Sequence, residues 1–343
     1  MCRTAQGTEH ALRLAQVTRE EGGHVLEGVI HCTNPGCQRE YPIVDGIPIL
    51  VANIRQYVAD NIAAITGRRD QGELVESMLG DCCGPDSLFT TTRQHLSSYA
   101  WDHYGDLDPA EAPGEPRPGS MLRTLAQGLE LAGAPPAGPW LDVGCSVGRS
   151  SFALAAAGGE LVVGLDLNFA KLRLAAQVLR EGKVQYPRRR VGLVYERREF
   201  PVKLAGADRV DFWAGDAAAL PFANGSCALT TSMNVLDCLA NPREFLVSVG
   251  RVLRSGGKAV LACPYDWSPA ATPVENWLGG HSQRSPSAGA SEAALRALLT
   301  PGAAGAIGNL VLKSERDDLP WHVRLHDRST MTYRLHLVVA DRG

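Results

Sequence analysis

The sequence predicts an α/β protein: a mostly parallel sheet of seven strands, one of them antiparallel, with helices on its faces and a small ribbon-like β segment in front. Three observations predict it. From residue 140 onward, apolar runs alternate with segments of helical period, the pattern of parallel strands joined by helices. The first run passes through a turn of small residues, WLDVGCSVGRSS over 140–151, into a helix rich in Ala and Leu. The second run, LVVGLDL over 161–167, places Asp166 at a strand end roughly 20 residues after that turn, where a carboxylate can reach a ribose diol.

Composition narrows the function classes. The chain has 343 residues, enough for one large domain with an appendage or for two domains. At 45% hydrophobic and 21% charged it can bury a real core. A net charge of −3 and a pI near 6.3 give no global attraction to nucleic acid or to a membrane. No apolar run approaches the roughly 20 residues of a membrane span. The N-terminus lacks the charged-then-apolar layout of a signal peptide. Nine cysteines, an odd number scattered along the chain, point to a reducing compartment, so cytoplasm is the expected location.

Residues 1–55 read as a separate unit. Cys32 and Cys37 bracket Thr33-Asn34-Pro35-Gly36, a knuckle of C-x4-C spacing, and YPIVDGIPIL over 41–50 is extended with a break at Asp45-Gly46. Two thiolates on a tight turn are half of a zinc ribbon, so Cys32 and Cys37 are candidate metal ligands. Residues 56–98 read as a helical linker in which Cys82-Cys83 are buried or incidental thiols. Residues 99–343 form the main domain. Its opening stretch, YAWDHY over 99–104, reads as a helix packed on the core or as a lid with Tyr99, His103 and Tyr104 over a ligand. A loop over 108–119, a helix over 120–131 and a break at 134–139 lead to the first core strand.

After Asp166, Asn168 caps a helix with Phe169, Leu172, Ala176 and Leu179 on one face, ending at Gly182. Residues 184–200 then carry Arg188, Arg189, Arg190, Arg197 and Arg198 among Tyr186, Tyr195 and Phe200. Basic and aromatic residues interleaved are a nucleic-acid cue. In an otherwise acidic chain, a solvated hairpin or a carboxylate clamp is the preferred reading. A third strand over 211–216 ends at Asp216, next to Ala217, and a fourth, 227–233, leads to Asn234 and Asp237. Asn241-Pro242 opens a helix that buries Phe245, Val249 and Val252 or Leu253 and ends at Gly256-Gly257. The fifth strand, 258–263, runs into Pro264-Tyr265-Asp266-Trp267. Residues 272–280 hold Glu275 and Trp277, 282–290 read as flexible, and a helix over 292–299 precedes two last strands near 309–313 and 332–339.

The turn at 144–148 formally fits G-x-S-x-G, a nucleophile elbow, and breaks the dinucleotide fingerprint at Ser146 and Arg149. A hydrolase elbow has no use for Asp166. The series Asp142, Gly144, Ser146, Gly148, Asp166, Asp216, Asn234 and Gly256-Gly257 resembles the class I S-adenosylmethionine-dependent methyltransferases over about 140–265, with Ser146 in the middle glycine position. That resemblance implies a Rossmann-like sheet. It also implies donor binding by Asp142, Gly144, Cys145, Ser146, Gly148, Asp166, Leu167, Asp216, Ala217 and Asn234, with Asp166 on the ribose and Asp216 on the adenine.

Over most of 99–343 the chain is also similar to the C-terminal methyltransferase domain of ovothiol synthase, which methylates an imidazole nitrogen of a mercaptohistidine. The shared pieces are His103-Tyr104-Gly105-Asp106, the loop over 144–149, Asn234 with Asp237, Pro264-Tyr265-x-Trp267, Thr272-Pro273 and Trp277-Leu278-Gly279-Gly280. The sulfoxide-synthase module is missing, and the Arg-rich insert and the N-terminus depart. Residues 1–55 resemble the zinc-ribbon activator protein that partners several methyltransferases, through YPI-x-DGIP-x-L. That family carries a first C-x2-C pair. Here only Cys2 lies upstream, as if the start fell a few codons downstream of the native one.

The expected activity is therefore methyl transfer from S-adenosylmethionine to a small polar acceptor, an imidazole or amino-acid-like nitrogen among them. Transfer from a sulfonium is an in-line displacement, so alignment and exclusion of water carry most of the catalysis. Aromatic walls suit the cationic donor. Tyr104, Tyr265, Trp267 and Trp277 are the expected wall, with Tyr99 and His103 beside the acceptor and Asp237 orienting or deprotonating it. Asn234 does not open the N-P-P-[YF] motif that grips nucleobase and protein amides. The competing readings are an RNA or protein methyltransferase recruited through the ribbon and the Arg-rich insert, and a non-catalytic scaffold on the same fold. Zinc is a possible second cofactor. No membrane partner is expected, and the oligomeric state is not legible.

Overall fold

A computed structural model describes every residue except 4–7, 38, 69, 135 and 286. Pro135 of the expected break and Pro286 of the expected flexible stretch thus lie outside the described residues. The N-terminal unit begins with the short pair β1 (Cys2–Arg3) and β2 (Glu9–His10). An antiparallel sheet follows, of β3 (Leu12–Glu21), β4 (His24–Cys32), β5 (Glu40–Val44) and β6 (Ile47–Pro48) in that order. Asp45 and Gly46 have φ of 51° and 79°, the left-handed pair that turns β5 into β6.

Three helices occupy the stretch expected to be a helical linker and run on into the main domain: α1 (Ile54–Thr66), α2 (Glu73–Cys82) and α3 (Leu88–Tyr104). Helix α3 runs unbroken through position 99, because Ser87 caps it and its C-terminal half, from Leu96 to Tyr104, is almost wholly buried. Cys82, expected buried or incidental, is exposed, and Cys83 is half-buried.

The remaining elements are α4 (Ser120–Ala132), β7 (Trp140–Val143), α5 (Arg149–Ala156), β8 (Val162–Asp166), α6 (Phe169–Glu181), β9 (Lys183–Val191), β10 (Val194–Pro201), β11 (Val210–Ala214) and β12 (Cys227–Met233). They are followed by α7 (Pro242–Val252), β13 (Leu253–Cys263), α8 (Ser291–Leu298), β14 (Leu310–His326) and β15 (Ser329–Arg342). Seven strands form one sheet in the order β11-β8-β7-β12-β13-β15-β14. All neighbours pair in parallel except β15, which is antiparallel to both β13 and β14. This is the Rossmann-like, mostly parallel α/β architecture that the sequence predicts. Helices α3 to α6 cover one face, while α7 and α8 cover the other, each over its own apolar cluster.

Two expectations about boundaries fail for stated reasons. Gly256-Gly257 do not end α7, which stops at Val252. They sit inside β13, where the register against β12 slips between Cys227 and Leu229 and Gly256 takes a φ of 71°. The last two strands run to 17 and 14 residues, joined by a turn at Asp327-Arg328.

The Arg-rich insert is a hairpin, β9 with β10. Its guanidiniums are spoken for: Arg188 pairs with Glu111 and Asp327, Arg190 with Glu196 and Asp327, Arg197 with Glu76, and Arg198 with Asp108 and Glu196. Arg189 donates to the carbonyl of Gly192.

The N-terminal unit docks on the free edge of the large sheet. Ile49 bridges Ala214 in parallel, the Leu50 amide donates to the Ala214 carbonyl at 2.8 Å, and Ile47, Ile49 and Val51 enter the core. Arg173 on α6 clamps Asp45 and the carbonyls of Ala64 and Ile65. Among the described residues, no helix is long and apolar enough to cross a membrane.

Candidate active site

The site lies where strand order reverses, between β7 and β12, at the carboxyl ends of the parallel strands. In open α/β sheets this is where a crevice opens. Loop 144–148 leaves β7 with three residues in the left-handed region: Gly144 (φ 76°), Ser146 (53°) and Gly148 (91°). A Cβ on Gly144 would lie 2.2 Å from Val235 Cγ2, so the two loops meet too closely for any other residue. Ser146 takes this conformation because its amide is held by Asp166 Oδ2 at 2.8 Å.

The structure brings Asp166, Asp216, Ser146 and Asn234 to one rim. Asp166 accepts from the Ser146 and Asn168 amides, one on each oxygen, and each oxygen keeps a lone pair for a further donor. Asp216 accepts from the Ala218 amide, with buried Ala217 between them. Leu167 leaves 51% of its surface exposed beside Asp166, and its carbonyl is held by the Tyr57 hydroxyl. Ser146 Oγ and Asn234 Oδ1 are buried with no partner among the described residues. Such orphaned groups are costly unless a ligand satisfies them.

Other expected site residues are placed differently. Asp142 does not reach the rim. It is sealed inside, accepting from Ser150 (2.6 Å), Ser151 (2.7 Å) and Thr231 (3.0 Å), and so ties the start of α5 and β12 to β7. Burial pushes its carboxyl up, and the three hydroxyls pull it back. The Cys145 side chain is wholly buried with its thiol pushed up by burial, which leaves its backbone to face the loop. Tyr104 is fully buried too, and its hydroxyl donates to the Val147 carbonyl at 2.8 Å. Instead of lining a wall, it props the Gly loop from below.

Two neighbours on α3 flank the crevice. His103 is 3% exposed with Nδ1 unpartnered among the described residues, and burial, with Lys171 and Arg149 nearby, pushes it down to about 3. Tyr99 is 38% exposed, and the Lys171 ammonium sits 3.6 Å from its ring centroid.

Across the crevice, Tyr265 adopts a φ of 57° where the chain leaves β13. Its hydroxyl lies 2.7 Å from His336 Nδ1, while His336 Nε2 lies 3.0 Å from Glu315, itself held by Arg296. With Glu315 accepting from Nε2–H, Nδ1 is the acceptor and the phenol donates. Tyr265, Trp267 and Trp277 form a stacked row, with centroids 6.3 and 6.0 Å apart. Asp237 is buried behind them, accepting from the Asp266 amide at 2.7 Å and from the Cys238 thiol at 3.7 Å. Burial pushes the Asp237 carboxyl up. Asp266, by contrast, accepts from the Tyr333 hydroxyl at 2.8 Å near the surface.

Lys171, Asp266, Tyr333 and the His336–Glu315 pair escaped the sequence reading. Lys171 carried no signal, since it is one cation on an amphipathic helix. Asp266 stood inside the Pro264–Trp267 stretch but read as a spacer. In the N-terminal unit, Cys32 and Cys37 face each other across the expected knuckle, and Cys2 joins them.

Comparison with known proteins gives a family match over part of the chain. Residues 141–261 match the methyltransferase domain family. The demethylmenaquinone methyltransferase of Clavibacter sepedonicus is 34% identical over 129 residues, 38% of this chain and 42% of that protein. The enzyme of the same name from Renibacterium salmoninarum is 34% identical over 134 residues, 39% of this chain and 44% of that protein. The chain thus spans less than half the length of these curated relatives. A solved S-adenosylmethionine-dependent methyltransferase from Methanosarcina mazei shares 21% identity over 60% of this chain and 92% of its own, with a TM-score of 0.39. Residues 141–261 thus match a methyltransferase domain family, and they lie within the Rossmann-like sheet of seven strands.

Proposed function

We propose that the chain methylates a small polar acceptor with S-adenosylmethionine as donor. The observation that carries this reading is the rim itself: two buried orphan oxygens, on Ser146 and Asn234, beside two carboxylates with free lone pairs at successive strand ends. These groups fit an adenosyl donor. Asp166 would hold the ribose diol, Asp216 and Ala217 the adenine, and the Gly-loop backbone, with Ser146 and Asn234, the amino-acid end. When bound, the donor supplies an electrophilic methyl on a sulfonium.

This chain's residues do the rest by orientation. The row Tyr265, Trp267 and Trp277 offers a flat apolar face to an acceptor ring. Lys171 with Tyr99 on one side and Asp266 with Tyr333 on the other present both signs of charge, which suits a polar acceptor and penalises a purely apolar one. In this reading the Asp266 carboxylate, beside the Tyr333 hydroxyl, accepts the proton that the acceptor gives up. Asp237 fixes Asp266 through the latter's amide and acts as its positioning residue. An imidazole or amino-acid-like nitrogen meets these requirements, as the likeness to the mercaptohistidine methyltransferase implies. Demethylmenaquinone, the substrate in the relatives' name, is not carried over, because the match covers under half of either chain.

The RNA-recruiting alternative needs free cations on β9–β10, and the five arginines there are engaged within the chain. The test is mass spectrometry of cell metabolites after reaction with isotope-labelled donor, where a labelled product heavier by one methylene is expected. Absence of donor binding at millimolar concentration by calorimetry would instead establish the scaffold reading.

A further inference from the structure

We infer that the acceptor is an organic amine held as an ammonium, against the aromatic row of Tyr265, Trp267 and Trp277 with Asp266 as its counter-charge. This rests on the methyl-transfer reading above and adds the charge of the substrate. What decides it is what the row offers a ligand and what it withholds.

Every polar end of the row is already used. The Tyr265 hydroxyl donates to His336 Nδ1 at 2.7 Å. Trp267 Nε1 donates to Ser291 Oγ, at the start of α8, at 3.0 Å, and Trp277 Nε1 to the Thr272 carbonyl at 2.8 Å. What remains for a ligand is ring surface, since all three residues are only half-buried. The face of a tyrosine or tryptophan ring is its negative side. It therefore attracts a cation, and it gives a neutral imidazole no strong hydrogen bond. Burial pushes the Tyr265 phenol up, so it stays protonated and its bond to His336 holds.

The row hangs on the loop that carries Asn234 and Asp237. Thr272, whose carbonyl holds Trp277, donates its hydroxyl to the carbonyls of Asp237 (3.1 Å) and Leu239 (2.7 Å). Asp237 in turn fixes the Asp266 amide, between Tyr265 and Trp267, at 2.7 Å. The Asp266 carboxylate accepts from the Tyr333 hydroxyl on Oδ2, and its Oδ1 has no partner among the described residues. Among those residues no lysine, arginine or histidine pairs with Asp237 or Asp266. Arg296 on α8 is held by both oxygens of Glu315. Two carboxylates without a counterion, beside three aromatic faces, favour a ligand that brings positive charge.

The reaction balances on these groups. The ammonium gives one proton to the Asp266 carboxylate, and the freed nitrogen lone pair forms the new bond to the donor methyl. The carbon–sulfur bond breaks with its electron pair going to sulfur, so the sulfonium becomes a neutral thioether. Asp266 is exposed and passes the proton on to solvent. The product is a methylated ammonium, again a cation, and the row holds it as it held the substrate. A quaternary ammonium ends the series, because it has neither a proton to give nor a lone pair.

The full chain, saturated with S-adenosylhomocysteine, is titrated by calorimetry with choline and with its uncharged carbon isostere, neohexyl alcohol. Choline is expected to bind roughly tenfold more tightly, the worth of a cation–π contact out of water. Replacing tryptophan throughout by difluorotryptophan drains charge from the ring faces with little change of shape. It should weaken choline and leave the alcohol unchanged. Asp266→Asn should weaken choline roughly threefold, as for a solvent-facing ion pair. With isotope-labelled donor, primary, secondary and tertiary amines are expected to take the label. Choline bound no better than the alcohol, or label carried to neutral or anionic acceptors and to no amine, overturns the ammonium and leaves methyl transfer standing. Absence of donor binding before any acceptor is added overturns methyl transfer, and the ammonium with it. These outcomes are read on the unmutated protein, so a variant that fails to fold leaves them intact.

Discussion

Ser146 donates its backbone amide to Asp166 Oδ2 at 2.8 Å, which locks a non-glycine residue in the left-handed region at the centre of the Gly loop. One carboxylate thereby shapes the loop and keeps a lone pair on each oxygen for a ligand. Asp166→Ala is expected to weaken S-adenosylmethionine binding by roughly 1–3 kcal/mol through the lost charge-assisted acceptor. Titration calorimetry that returned the unmutated affinity would reject the ribose assignment.

Asp142 works on the opposite side of the same loop, and its variant should behave differently. Asp142→Ala strands three buried hydroxyls, on Ser150, Ser151 and Thr231. The expected loss is about 2–4 kcal/mol of folding stability. A urea melt with an unshifted midpoint would show that the carboxylate is not the fastener the geometry makes it.

His103 sets an acid limb on stability. Folded, it is held down to about 3; unfolded, it titrates near its ordinary value of 6.5. Between those values the unfolded chain binds the extra proton, so stability falls as pH drops from 6.5 toward 3, by up to about 1.4 kcal/mol per pH unit. Asp102, which holds the Ser120 and Met121 amides, is pushed up to about 6 from 3.8 by burial and pulls the other way within that narrower window. Subtracting the stability-versus-pH curve of His103→Gln from that of the unmutated protein isolates the histidine. The difference should be flat above pH 7 and steepen below 6.5. A flat difference throughout would mean His103 is hydrated in the folded state.

Gly280 tests the aromatic row. Its φ is 74°, and a Cβ there would lie 2.9 Å from Trp267 Cδ1. Gly280→Ala should displace Trp267 from Trp277 at a cost of roughly 1–2 kcal/mol. Turnover of the acceptor should fall while donor affinity holds. A fall in donor affinity of the same size would mean that the row serves the donor and not the acceptor.

Much of the scaffold could be read in advance because its signals are local. The Gly loop, the Asn168 cap and the strand end at Asp166 each follow from residues within a turn or two of one another. The long hairpin β14–β15 was read as two short strands for an equally physical reason. Its register slips between Leu312 and Ser314, between Arg316 and Leu319, and between Arg324 and His326, and each slip breaks the alternation that marks a strand. Tyr104 misled in another way: an aromatic near a donor loop reads as a wall, yet its hydroxyl was already promised to the Val147 carbonyl, 43 residues on.

The sequence by itself determined the order of the core strands and helices from residue 140 onward and the strand ends at Asp166 and Asp216, since apolar period and turn chemistry act between near neighbours. Only the tertiary structure decided which polar groups stay open to a ligand. It sealed Asp142 against Thr231, paired the hairpin arginines with Glu76, Asp108 and Asp327, brought Tyr333 to Asp266 and Tyr99 to Lys171, and set Cys2 and His10 beside the knuckle. A buried charge or hydrogen-bonding group must find a partner wherever folding brings one, and distance along the chain does not constrain that choice.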